Sequence, residues 1–195
     1  MMTRSPATLV KQAQEQELLA RDDFRRQLHA ASKHMSQRAL AARLGISQPA
    51  IAQRLQGYTS DYDTRPVETM QSCAQSICES LGCPSEPLST RLRLVGQAIS
   101  DFRALTQPHD QRFFLREPQS TGDTRWDALL AGVAAREARR VGMPIPLWTT
   151  DDSRFLDRPW FPTETLSLRA IAFEASPSDF AIRHVYLDPA ELESV

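Results

Sequence analysis

Lysine is almost missing from this chain. Only Lys11 and Lys33 stand among 23 basic residues, and the rest are Arg. Arg prevails in acidic stretches as well as basic ones, so its abundance reflects genome composition more than a nucleic-acid surface. Glycine is also scarce, at 7 of 195 residues. That argues against a glycine-rich loop cradling a phosphate, and no nucleophile motif stands in its place. The three cysteines, Cys73, Cys78 and Cys83, are five residues apart. An odd count argues against a disulfide framework, and the spacing matches no zinc pattern. No run approaches the roughly 18 apolar residues that span a bilayer. The first sixteen residues lack the apolar core of a secretory signal. These absences set the expectations: no enzyme, no metal or cofactor, no membrane, and a cytoplasmic location.

What is present is a folded, polar-coated chain. Hydrophobic residues make up 41% and charged residues 24%, which fits a packed protein rather than a disordered one. The net charge of −1 hides a split. Residues 1–57 hold nine Lys or Arg and four Asp or Glu, net +5, and residues 58–195 hold fourteen and twenty, net −6. A basic part suits phosphate, and an acidic part suits a protein or small ligand.

Periodicity predicts a mainly helical fold. Residues 5–34 read as one long helix, with Ser5 as cap and Pro6 at the first position. Phe24, Leu28, Ala31 and Met35 share one face. Residues 58–65 read as a polar linker. Further helices are expected from Pro66 to Leu81, over 88–106, over Thr124–Val141 and at about 163–175. Residues 107–122 read as a loop with a short extended piece at Phe113–Leu115. Residues 143–162, with four prolines and four aromatics, read as a rigid ordered loop. Arg183–Leu187 reads as a strand, and Asp188-Pro189 opens a last helical turn.

Residues 36–57 carry the chemistry. Ser36 caps a first helix whose inner face is Leu40 and Leu44. Ala41 is small where two helices cross. Gly45 follows, where a left-handed backbone is cheap only for glycine. Ile46 plugs the corner, Ser47 caps a second helix, and Pro49 sits in its first turn. Ile51 and Leu55 bury that helix, and Gly57 ends it. This string resembles the helix-turn-helix of bacterial repressor-type regulators, with Gln37, Ala41, Gly45, Ile46, Ser47 and Ile51 in the family's spacing. It departs at Arg54, where many members bury an aliphatic residue.

The resemblance implies double-stranded DNA as ligand and a homodimer as the working form. The second helix would enter the major groove N-terminus first. Gln48 and Gln53 can each offer a donor and an acceptor to adenine, and Pro49 and Ala52 can touch a thymine methyl. Ser47 and Arg38 would clamp phosphates, with Arg43 and Arg54 as further phosphate candidates.

A second resemblance lies further along. Residues 126–132, 144–148, 153–161 and 183–188 are similar to actinobacterial regulators found beside nucleotidyltransferase toxins of the abortive-infection class. It implies an autoregulating antitoxin-like repressor with such a toxin as partner. Trp148, Trp160 and Phe161 are the candidate partner anchors. Two alternatives stand beside it. One is a repressor sensing a small molecule. The other is an enzyme built on His184 with Asp188, or on Asp151 and Asp152 with Arg154. The expected architecture is an N-terminal helix-turn-helix domain over 1–57, then a mostly helical partner- or effector-binding domain over 66–195 with a short strand or hairpin.

Overall fold

The computed structural model describes residues 6–193 except Pro84 and Glu164. The expected cap Ser5 and the turn proline Pro84 therefore lie outside the described residues. The protein is mainly helical and divides into two compact units, Met1–Thr64 and Arg65–Val195.

The first unit holds α1 (Pro6–Ser32), α2 (Gln37–Leu44) and α3 (Gln48–Leu55). Leu28 of α1, Leu40 and Ala41 of α2, and Ile51 of α3 form its core, with Ala31, Met35, Ile46 and Leu55 packed around them. Two expected core residues lie outside it. Leu44 is 44% exposed and Phe24 is 38% exposed. Leu44 is the last residue of α2, past the crossing, and Ile46 closes the corner after the turn.

Residues 58–64 are no free linker. Tyr58 is buried, 5.0 Å from the His29 ring and 5.2 Å beneath the Arg25 guanidinium. A single 3-10 turn at Asp61–Asp63 follows. It sets the Asp63 carboxylate 2.5 Å from Lys33 Nζ and 2.7 Å from His29 Nε2. Arg26 lies over Tyr62 at 5.4 Å. The segment is thus latched to α1, and the boundary falls at Thr64 rather than after Gly57.

The second unit holds α4 (Met70–Leu81), α5 (Leu88–Arg103), α6 (Pro108–Phe114), α7 (Thr124–Arg140), α8 (Leu168–Ala175), α9 (Ser178–Ala181) and α10 (Ala190–Glu193). Helix α7 is its centre and packs on α4, α5 and α9. Trp126, Leu129, Leu130, Val133, Ala134 and Ala138 of α7 are all buried. Its buried Glu137 takes a two-pronged bond from Arg103 at 3.0 and 3.2 Å. That pairing offsets the cost of burying a carboxylate.

Several expected boundaries shift for identifiable reasons. Helix α4 starts at Met70, not Pro66, because Thr69 and Ser72 cap each other reciprocally. The expected extended piece at Phe113–Leu115 is instead the end of α6. Pro108 occupies its first turn, and Phe114 is buried 5.1 Å from Phe102. The loop 143–162 is ordered around two 3-10 turns, Leu147–Thr150 and Asp152–Arg154.

The strand at Arg183–Leu187 reduces to one isolated parallel bridge, Trp160 to Val185. Trp160 N–H donates to the His184 carbonyl at 2.8 Å, and Tyr186 N–H donates to the Trp160 carbonyl at 2.9 Å. The next ladder bond would need an N–H at residue 162, which is proline. In the other direction the His184 N–H is already given to Ala181. Hence no strand or hairpin grows among the described residues.

Candidate nucleic-acid interface

Local capping chemistry builds the α2–α3 pair. Ser36 Oγ accepts the Ala39 N–H at 3.2 Å, and Ser47 Oγ accepts the Ala50 N–H at 3.3 Å. Each satisfies one orphan donor of a helix start. Between them Gly45 sits at φ 65°, ψ 27°. Its N–H and that of Ile46 both return to the Ala41 carbonyl. The Ile46 bond, 3.1 Å long, is the six-to-one closure of a Schellman turn. A β-carbon at residue 45 would be strained by this φ alone. Pro49 stands in the first turn of α3, where an N–H has no helical partner to lose.

With Ile51 and Leu55 turned to the core, the opposite face of α3 is open. Gln48, Pro49, Ala52, Gln53 and Gln56 are all exposed. Arg38, Arg43, Ser47 and Arg54 are exposed around them. Residues 36–57 contain three Arg and no acid. The structure therefore brings together on one unit all eight residues that the sequence put forward for DNA. Arg54 is the most constrained. Its guanidinium donates to the Ala50 carbonyl at 3.3 Å and lies 5.8 Å from the Phe24 ring centroid. The Arg54 carbonyl accepts from Arg25 Nε at 3.1 Å.

The three aromatic residues put forward as partner anchors lie in different surroundings. Trp148 is buried, and its indole N–H donates to the Leu115 carbonyl at 3.0 Å. It is a core residue, because the ordered loop folds it inward. Trp160 is half-buried, edge-on to Trp126 at 5.3 Å. Phe161 is half-buried and stacks on Tyr186 at 5.4 Å, with Arg169 over it at 5.7 Å.

The residues that sequence reasoning missed are on and near α8. Leu166, Ile171, Phe173 and Ile182 are 73, 52, 60 and 58% exposed, and Leu168 is exposed as well. Only Ala172 of α8 is buried. The signal was the sparsely charged run from Leu166 to Ala175, with two charges in ten residues.

Of the groups considered for catalysis, His184, Asp188 and Arg154 have other partners. His184 Nδ1–H donates to the Leu156 carbonyl at 2.6 Å, while Asp188 Oδ1 accepts the Ala190 N–H at 2.9 Å as the cap of α10. Arg154 pairs with Glu117 at 3.0 Å and lies 3.6 Å from Asp127. Among the described residues no group of three or more His, Cys, Asp or Glu is arranged to hold a metal. No helix there is long and apolar enough to cross a membrane. Comparison with protein-family models, curated proteins and solved structures gives no match.

Proposed function

We propose that the first unit binds double-stranded DNA with α3 in the major groove, and that the chain is a transcriptional regulator. The observation that carries this reading is the open, acid-free face of α3 beside two Ser-capped helix starts and a left-handed Gly45. Gln53, opposite the buried Ile51, is placed to read a base edge, and Gln48 enters first with the helix N-terminus. Pro49 and Ala52 offer apolar contact to a thymine methyl. Ser47, Arg38, Arg43 and Arg54 hold phosphates and set the register. Selection of binding sites from a random duplex pool tests the reading. A recovered consensus with two-fold symmetry supports it, and no enrichment over the starting pool contradicts it.

One such helix covers about half a site, so the working form is a homodimer on a pseudo-palindrome. The exposed side chains around α8 fit a second copy. An antiparallel pairing centred between Ile171 and Ala172 sets Arg169 of one copy opposite Glu174 of the other. The same two-fold sets the large Phe173 against the small Ala170. Leu166, Leu168, Ile171, Phe173 and Ile182 are each exposed on or near α8. Phe161 borders this patch through Tyr186. Light scattering at micromolar concentration tests it: a dimer supports the proposal, and a monomer with and without DNA contradicts it. If α8 instead becomes covered by a nucleotidyltransferase in a complex with one copy of this chain, the toxin replaces the second copy and the dimer is refuted.

A further inference from the structure

One side chain ties the end of α3 to α1. Leu55 is the last residue of α3, so the carbonyls of its final turn have no helical donor ahead of them. The N–H four residues beyond Arg54 belongs to Tyr58, and it is given to the Leu55 carbonyl at 3.1 Å. The Arg54 carbonyl instead accepts from Arg25 Nε of α1 at 3.1 Å. A guanidinium suits that place, because a helix C-terminus carries partial negative charge. Gly57 then turns the chain at φ 65°. Tyr58 follows it, buried 5.2 Å beneath the same Arg25 guanidinium and 5.0 Å from His29. Arg25 thus holds the last turn of α3 by a hydrogen bond while standing over the next aromatic ring.

The rest of α3 is secured by other means. Its start is fixed by the Ser47 cap, and its middle by Ile51, which is buried with Leu28, Leu40 and Ala41. Gln53 stands on the last turn, one residue before the carbonyl that Arg25 holds. We infer that Arg25 is a positioning residue for base reading. It touches no DNA and fixes the angle at which the C-terminal half of α3, and Gln53 with it, meets the groove. This role rests on the DNA-binding reading above. Hydrogen bonds form within a window of about 0.5 Å, so a small swing of the helix end spoils a two-point bond to a base edge.

The test variant is Arg25→Met in the full chain, which keeps an unbranched stem beside Tyr58 and removes the donor. Hydrogen exchange of the free protein reads the tie without DNA. The amides of Gln53, Arg54 and Leu55 should exchange faster than in wild type, and those of α2 should not. Unchanged exchange at these three overturns the inference whatever the DNA result. On DNA, Arg25→Met should lower affinity for the selected operator about tenfold, within the range of one lost base contact, and leave random duplex and the salt slope as in wild type. In a Gln53→Ala background the same substitution should cost less than about twofold, because the contact it positions is already gone. A merely destabilising change would give the same loss in either background, and that result overturns the inference, as does no loss at all. A loss shared by operator and random duplex, with a slope lower by about one, makes Arg25 a phosphate contact and overturns it too. If exchange changes as expected but the wild-type chain binds no duplex, the DNA-binding reading falls, and the role given to Arg25 falls with it.

Discussion

The ring of Phe180 rests against the bare backbone of Gly132, and a β-carbon at residue 132 would lie 2.5 Å from Phe180 Cδ1. Glycine in the middle of a helix costs about 1 kcal/mol relative to alanine. In α7 that cost allows α9 to approach closely. Gly132→Ala should therefore destabilise the protein by about 1–3 kcal/mol despite its better helix propensity. Each kcal/mol lowers the melting temperature by about 2–4 °C in a chain of this size. An unchanged or raised melting temperature would contradict the packing.

The Asp63 latch makes stability depend on pH. The hydrogen bond from Lys33 outweighs the opposing effect of burial and, with smaller contributions from the His29 hydrogen bond and the charges of His29 and Lys33, holds the Asp63 carboxyl below the ordinary carboxylate range. A depressed carboxyl stabilises the fold above its unfolded value, about 3.9, and loses that contribution as pH falls through its folded value. The pair is partly exposed, so the effect is at most about 1 kcal/mol. Asp63→Asn should lower stability at pH 7 and match wild type once the pH falls below the folded value. Chemical denaturation of both proteins across that range checks this, and a constant gap at every pH would contradict it.

Three thiols should react at two rates. Cys73 is buried, and that burial, aided by Glu68, pushes its pKa up to about 12. Cys78 and Cys83 are exposed. A thiol reagent at pH 8 should modify two cysteines quickly, and the third only when the protein unfolds. Three equal rates under native conditions would contradict the burial.

Phe173 is a surface residue, so Phe173→Asp should leave the melting temperature of the monomer almost unchanged. If α8 pairs two copies as proposed, it should also shift the protein toward monomer by placing a carboxylate in an apolar contact. Sedimentation of wild type and variant at matched concentrations checks it. A variant as dimeric as wild type would place the contact elsewhere.

The parts of the fold legible in the sequence were those set by local chemistry. Ser36, Gly45, Ser47 and Pro49 act within four residues of themselves, so their roles could be read from spacing alone. The residues misread were those whose partners are distant in sequence. Trp148 looked like an exposed anchor because its hydrogen-bond partner, Leu115, is 33 residues away. The 58–65 stretch looked like a linker because nothing local shows that Asp63 would meet Lys33, 30 residues back. Arg183–Leu187 read as a strand, but a strand needs a neighbour, and Pro162 stops the ladder after one bridge. The exposed α8 escaped notice because an apolar helix reads as core until its burial is known.

The open face of α3 is proposed to read DNA. Anisotropy titration of Gln53→Ala and wild type, on the selected operator and on random duplex, tests it most directly. Gln53→Ala should lose roughly 1–3 kcal/mol on the operator, relax preference at one base pair, and bind random DNA as wild type does. If Gln53→Ala and wild type bind operator and random DNA with the same affinities, α3 does not read the groove and the account is wrong.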